Sequence, residues 1–421
     1  MTFKLGELLH LQVALVHNIS KKNLIGRIAI IGAGITGVAS AAHCVANGFE
    51  VVLFEKKDRT GGVWNDVNST SSLQLNSWLY RFHPSVLWSR SFPKQAEILN
   101  QIQRKPTHLL TPSNLQTLRK TVWKIDQGTE GLFDSLIIAI GTCDKPYQRQ
   151  WVSQQDFHGS VLHSSQLDVV AHPDEVVVIG SGASAVEAVE LVVRRGARKV
   201  TMIARNDKWI IPRGLIPLVM ITVAPWELIK RFHYGDLRKI APDLKKNGIG
   251  LDQSTPIVNN KFLDLIRDGS ADYLRGNIKN FLNFSKSFAT GFERPKMDFL
   301  PNSLFPKGYE PPSLFLLNFS VNDHTVLFTN SVYKDAIGTV GHFHIGIYTR
   351  ILLMFLVEPQ LAPQPHHMRL WVDVIRYLKS SAPTDAFDFF TYVEMIFYLI
   401  IFHLVRPQRI KWILFNFFGI G

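Results

Sequence analysis

Two stretches of the chain repeat one pattern: a short unbroken apolar run, a glycine-rich turn, a small-residue segment of helical length and a second apolar run. Arg27 to Ile31 (RIAII) is the first such run, as expected of a strand covered on both faces. It enters Gly32-Ala33-Gly34-Ile35-Thr36-Gly37, and a helix through Ala39, Ala42 and Val45 follows. Gly48 ends that helix, and Glu50 to Phe54 reads as a second strand closing on Glu55. Further along, Glu175 to Ile179 (EVVVI) leads into Gly180-Ser181-Gly182-Ala183-Ser184-Ala185 and a helix ending near Gly196. A strand from Lys199 to Ala204 comes next, with Arg205 at its end. Between the two units, Ser135 to Ile140 (SLIIAI) is another buried-strand candidate, stopping at Gly141. The Pro-containing stretches 144–146 and 172–174 read as connections.

Strand, glycine turn, helix and second strand are the context that turns a glycine triplet into a phosphate cradle. Gly32 allows the tight turn, Gly34 lets the backbone approach a pyrophosphate, and Gly37 lets helix and strand pack closely. The phosphates then meet a helix N-terminus, where unpaired N–H groups and the helix dipole favour negative charge. Glu55 can accept hydrogen bonds from an unmodified ribose and would repel a 2′-phosphate, which fits FAD or NAD. In the second turn Gly180, Gly182 and Ser184 occupy the cradle, with Ala185 at the third glycine position. Arg205 stands at the strand end where the first unit has Glu55, and its guanidinium suits the 2′-phosphate of NADPH. Lys208 is near enough in sequence to share that role; a solvated surface arginine is the competing reading of Arg205. A flavin module beside an NADPH module implies hydride transfer from nicotinamide to flavin.

Composition removes several other classes. With 46% hydrophobic and 19% charged residues over 421 positions, the chain reads as folded and long enough for two or three domains. The net charge of +12 comes without any Lys/Arg run of five or more, so no nucleic-acid arm is expected. Two cysteines, Cys44 and Cys143, exclude a disulfide scaffold and a CxxC redox pair, and they suit a reducing, cytoplasmic compartment. No HExxH, GxSxG or metal-ligand cluster is found, and His342, His344, His366 and His367 are not spaced as a metal set, so no metal is expected. The apolar stretch from Leu8 to Val16 is broken by His10 and Gln12 and does not read as a signal peptide. Near the end, Met395 to Val405 (MIFYLIIFHLV) is uncharged but about half the length of a membrane span. It reads as a core helix, with a helix lying on a membrane surface as the alternative.

Further residues carry a resemblance. Gly61-Gly62-Val63-Trp64 follows Glu55, and Phe157-His158-Gly159-Ser160-Val161-Leu162-His163 precedes the second module. With IGAGITG, VIGSGASA and Ala289-Thr290-Gly291-Phe292, these resemble the class B flavoprotein monooxygenases, the flavin-containing monooxygenases and their Baeyer–Villiger relatives, over roughly residues 27 to 300. The remainder is similar in kind to fungal members of secondary-metabolite pathways. The resemblance implies that the FxGxxxH stretch joins the two nucleotide domains. It also implies that the ATG segment returns the chain to the FAD domain, and that Gly62, Trp64, Gly141 and Gly291 belong to the cofactor-binding set. Leu75-Asn76-Ser77 resembles the segment whose asparagine sits over the flavin, which makes Asn76 the catalytic candidate; a turn asparagine is the competing reading. By the same resemblance NADPH reduces FAD, O2 adds at the flavin C4a, and the hydroperoxide passes one oxygen atom to a small lipophilic substrate.

The expected architecture is α/β, a discontinuous FAD domain (1–170 and 285–421, the latter with the C-terminal helices) carrying an inserted NADPH domain (171–284). Leu167 replaces the aromatic residue that usually ends the family signature, which leaves the oxygenation subtype open. Ser285, Lys286 and Ser287 are poor residues for a buried strand end, and residues 105–124 are short for the strands the family carries there. Both stretches read as deletions. Trp78, Tyr80 and Trp88 are candidates for lining a substrate pocket, and the run Gly338 to Leu352 for presenting a helix N-terminus to the flavin. The rival functions are a flavin reductase or NADPH oxidase without oxygen insertion, and an inactive nucleotide-binding paralogue.

Overall fold

The computed structural model describes residues 24–74, 76–77, 87–103, 115–119, 132–147, 159–170, 174–213, 226–242, 256–276, 285–332, 342–380 and 391–419. In chain order, β1 (Arg27–Ile31), α1 (Ile35–Ala46) and β2 (Glu50–Glu55) form the first turn unit, followed by α2 (Gln95–Gln103), β3 (Leu115–Arg119) and β4 (Ser135–Ile138). The second unit comprises β5 (Val161–His163), β6 (Glu175–Ile179), α3 (Ala183–Arg194), β7 (Lys199–Ala204), the short pair β8 (Ile210–Ile211) and β9 (Ile257–Val258), α4 (Phe262–Arg267), β10 (Asp272–Arg275) and β11 (Ser285–Phe288). Then β12 (Val326–Leu327) rejoins the first sheet, and α5 (His342–Val357), α6 (Pro365–Ser380), α7 (Thr391–Val405) and α8 (Lys411–Phe418) complete the chain.

The two main sheets are built alike. The first runs β3-β2-β1-β4-β12 and the second β10-β7-β6-β11-β5, every neighbouring pair parallel. Parallel strands covered on both faces need continuous apolar runs, and RIAII, EVVLFE and SLII supply them in the first sheet. The likeness reaches the hydrogen bonds. Gly32 N donates to Phe54 O at 2.8 Å and Gly180 N to Ile203 O at 3.0 Å, while Ala139 N donates to Ile31 O at 2.8 Å and Ala289 N to Ile179 O at 2.9 Å. Ala139-Ile140-Gly141 and Ala289-Thr290-Gly291 are therefore one structural feature used twice.

That equivalence accounts for SKSF, which the strand preferences of its residues did not favour. Ser285–Phe288 is a strand, β11, hydrogen-bonded to β6 on one side and β5 on the other, the place β4 holds in the first sheet. Two parallel neighbours supply its ladder bonds, so sheet context overrides residue preference. Ser285–Phe288 is thus a strand of the second sheet. Because β5 and β11 both lie there, that sheet takes strands from both sides of the 171–284 span expected for the NADPH domain. In the other stretch read as shortened, only 115–119 is described; it forms β3, at the end of the first sheet.

The exits of the two units pair with each other. Asp144 N donates to Glu293 O at 2.8 Å, Glu293 N to Lys145 O at 2.8 Å and Tyr147 N to Gly291 O at 2.9 Å, an antiparallel crossing. The core of the first unit joins α1 to α5, α6 and α7, and the second unit packs its own core around α3. Among the described residues no single helix is long and apolar enough to cross a membrane. The apolar run at 395–405, expected to be a core helix, lies in α7, whose Met395, Tyr398, Leu399 and Phe402 enter the core at helical spacing.

The tightest approach in the first unit is at Gly37, where a Cβ would fall on the Gly32 carbonyl oxygen. Gly37→Ala should therefore lift α1 off the sheet at a cost of about 1–3 kcal/mol, read as a lowered thermal midpoint. An unchanged midpoint would contradict the close approach.

Candidate functional site

Each glycine turn makes a shallow cradle at a helix N-terminus. Gly32 (φ 105°) and Gly180 (φ 134°) hold left-handed conformations that only glycine adopts without strain. A Cβ on either would also strike the carbonyl of the returning strand, Ala139 or Ala289. The next glycines, Gly34 and Gly182, are the N-caps of α1 and α3, with ordinary φ values of −72° and −83°. Neither helix has a side-chain cap or an acidic residue in its first turn. Two helix N-termini thus present N–H groups that meet no capping side chain and no first-turn acid among the described residues, the arrangement suited to a phosphate group. Ser184 lies in the first turn of α3, where a hydroxyl can add to those donors.

In the first unit the GGVW segment closes over the cradle. Gly61 N donates to Ala33 O at 2.9 Å, and a Cβ on Gly62 would lie 3.0 Å from the Gly34 Cα, so two backbones meet face to face. Trp64 packs at the side against the cluster of Ile35, Leu73, Ile98 and Ile102. Glu55 is buried at the end of β2; one oxygen accepts the Ala33 N–H at 2.7 Å and the other the Lys57 N–H at 2.9 Å. A carboxylate has about four acceptor positions, so two remain for ribose hydroxyls.

The second unit differs at that point, and the register corrects one detail of the sequence reading. Phe54 and Ile203 are equivalent by their bonds to Gly32 and Gly180, so Ala204 takes the place of Glu55, and Arg205 lies one position beyond. The consequence for charge is unchanged: a methyl replaces the carboxylate, and an exposed guanidinium follows it. Lys208 is half-buried, its carbonyl accepting the Tyr234 hydroxyl at 3.3 Å. Sequence reasoning missed Arg275, whose Cα pairs in register with Ala204; Asp207 engages its guanidinium and also accepts the Tyr273 hydroxyl at 2.7 Å. Only strand pairing across 71 residues of chain brings Arg275 there, so no local signal existed.

The signature histidine sits where the units join. His163 is fully buried at the end of β5, with Nε2 2.9 Å from the Gly291 carbonyl and Nδ1 2.8 Å from Ser165 Oγ. A carbonyl only accepts, so Nε2 carries the proton. Burial holds the ring's pKa below the ordinary histidine value, the Gly291 bond opposing it. Gly291 (φ 84°) and Gly141 (φ 72°) turn the two exits into their antiparallel crossing. Leu167, in place of the family aromatic, is buried in the core of the second unit. Asn76 is half-buried, just after a segment of the first unit that is bonded to the second. Trp88 packs against the same cluster as Trp64, whereas Phe157, His158, Leu75, Trp78, Tyr80 and residues 338–341 lie outside the described residues.

A family model described as pyridine nucleotide-disulphide oxidoreductase matches residues 26–215. An uncharacterized monooxygenase of Sinorhizobium fredii is 30% identical over 207 residues, covering 44% of this chain and 31% of that one. Flavin-containing monooxygenase 1 of Sus scrofa is 26% identical over 245 residues, covering 48% and 43%. The chain thus spans less than half the length of these curated relatives. Among solved structures, the open form of cyclohexanone monooxygenase has a TM-score of 0.63 at 13% identity, covering 84% of this chain and 93% of that one. A steroid monooxygenase bound to NADP has a TM-score of 0.55 at 14% identity, covering 78% and 85%. The resemblance to the class B flavoprotein monooxygenases is borne out, and the fold is that of their paired α/β units.

Gly182 allows a clean test of the second cradle, because a Cβ there would meet nothing within 4 Å. Gly182→Ala should leave stability within about 0.5 kcal/mol of the parent while weakening dinucleotide binding about tenfold or more. Unchanged NADPH affinity in titration would mean that no phosphate lies against this turn.

Proposed function

We propose that this protein is an FAD- and NADPH-dependent monooxygenase that passes one oxygen atom of O2 to a small lipophilic organic substrate, the other atom leaving as water. The observation that carries the reading is the duplicated cradle with unlike strand ends, buried Glu55 on one and Ala204–Arg205 on the other. FAD would lie on Gly32, Gly34, Gly37, Gly62 and Glu55, its ribose hydroxyls meeting the carboxylate. NADPH would lie on Gly180, Gly182 and Ser184, its 2′-phosphate meeting Arg205, with Lys208 beside it. Once bound, flavin supplies the oxygen-activating chemistry at its C4a position; the protein binds, orients and excludes water. Asn76 is the side chain assigned to the flavin face, and His163 holds the crossing through Gly291. A role in secondary metabolism fits the resemblance to fungal members.

Anaerobic reduction of the FAD-loaded protein by NADPH, followed by mixing with oxygenated buffer, tests the reaction class. An absorbance transient distinct from both reduced and oxidised flavin is expected before the oxidised spectrum returns. One-step reoxidation with stoichiometric peroxide would favour a reductase or oxidase. A colourless protein that takes up no FAD would favour an inactive relic. Arg205→Ala should raise the NADPH KM about 10- to 100-fold and leave that for NADH within about threefold, the loss expected of a charge-assisted phosphate contact. Equal losses for both cofactors would remove Arg205 from the site.

A second reading concerns location: a cytoplasmic protein that rests on an anionic membrane through its C-terminal helices. Leu370, Val374 and Tyr377 form an exposed apolar stripe on α6, Phe397, Ile400 and Leu404 one on α7, and Ile410, Leu414 and Phe418 one along the α8 segment. Arg406 and Lys411 are exposed beside them, and the one acidic residue within 391–419, Glu394, is buried. Apolar stripes rimmed by cations match an interfacial anchor. The protein should sediment with phosphatidylserine-containing vesicles, less so with Ile400→Glu/Leu404→Glu. Recovery in the supernatant at low salt would exclude the contact.

A further inference from the structure

Resting on the monooxygenase reading, we infer that Glu187 is a positioning residue that holds the segment leading to Asn76 against the NADPH-side cradle helix. Glu187 lies on α3, one turn beyond Ser184. Its carboxylate reaches out of the second unit and collects the donors of a segment of the first. Ser71 Oγ donates at 2.6 Å, and Ser72 N and Gln74 Nε2 each donate at 3.3 Å. The backbone of the same residue takes part, the Glu187 carbonyl accepting the Thr70 hydroxyl at 3.1 Å. Gln74 continues the seam, its Oε1 accepting the Val258 N–H at 2.9 Å. Two residues later the chain reaches Asn76. One acceptor on the cradle helix therefore fixes the strap from which the flavin-facing asparagine hangs.

This placement is unfavourable for the carboxylate itself. Burial pushes its pKa up to about 7, against the hydrogen bonds of Ser71 and Ser72, with Glu190 adding to the rise and Arg213 opposing it. Residues 68–74 contain no ionisable side chain, so Glu190 and Arg213 are the charged groups facing it. With a folded-state pKa raised from 4.5, its contribution to stability is full below about pH 4.5 and is lost as pH rises through about 7. An amide of the same shape would keep the seam without a charge to bury, accepting from Ser72 N and Gln74 Nε2 and donating to the Ser71 hydroxyl, which would reverse its direction.

The test needs no organic substrate. FAD-loaded parent, Glu187→Met, Glu187→Gln, Ser71→Ala and Asn76→Ala are compared for NADPH consumption and H2O2 release in air, for flavin content, and for amide exchange at residues 71–74. Glu187→Met keeps the volume and removes the acceptor. It should release peroxide about 5- to 20-fold faster than the parent, approaching Asn76→Ala, with flavin content unchanged and exchange at Ser72 accelerated. Glu187→Gln should restore slow peroxide release and gain thermal midpoint relative to the parent between pH 5 and 8. Parental peroxide release in Glu187→Met overturns the proposal, and so does leakage there without leakage in Asn76→Ala. If Glu187→Met does not fold, Ser71→Ala decides: parental release and exchange overturn it. If the parent itself turns all NADPH directly into peroxide, the monooxygenase reading fails, and exchange at Ser72 still decides whether Glu187 holds the strap.

Discussion

The Gly291 carbonyl is the point on which the arrangement of the two units depends. It accepts the buried His163 ring at 2.9 Å and the Tyr147 N–H at 2.9 Å, so one atom ties β5, the exit of the first unit and the exit of the second. A neutral imidazole suits this place because it donates to the carbonyl from Nε2 while Nδ1 faces Ser165, with no charge to desolvate. Were the ring an imidazolium, Ser165 would have to reorient its hydroxyl and its N–H would lose an acceptor. Around that junction the two exits run antiparallel and are hydrogen-bonded to each other.

Both cradles obey the same local constraint, and this is why they were legible in the sequence. A left-handed turn under a returning carbonyl admits glycine alone, so Gly32 and Gly180 announce themselves by residue type. The covered strands likewise announce themselves, because RIAII, EVVLFE and EVVVI have no polar face to offer. What was not legible depends on distant partners. SKSF becomes a strand because β5 and β6 flank it. Arg205 was placed one position too early because a strand's end is set by its ladder bonds, which the sequence does not display. Arg275 and Glu187 meet their partners across 68 and 116 residues of chain, and no spacing rule reaches so far.

The two units also divide the electrostatic work. At the first strand end a buried carboxylate already spends two lone pairs on backbone N–H groups, which fixes its orientation at the strand end. At the second, loss of that carboxylate matters as much as the gain of a cation, since a 2′-phosphate beside a carboxylate would be repelled whatever else stood nearby. Asp207 engages the Arg275 guanidinium, while Arg205 stays exposed beyond the strand end.

Likeness in sequence and likeness in fold cover different extents of this chain. The curated relatives match 44 and 48% of it, whereas cyclohexanone monooxygenase shares the fold over 84%. The physical demands of the parts explain the difference. A cradle needs particular residues, because backbone must touch backbone or ligand there and a single Cβ is too many. The later helices need only fill volume: α5 is buried through Ile347, Ile351, Leu352 and Phe355 against α1, and many apolar residues would pack as well. Specific chemistry therefore stays readable in the first half of the chain, while the second half keeps its shape with little trace in the sequence.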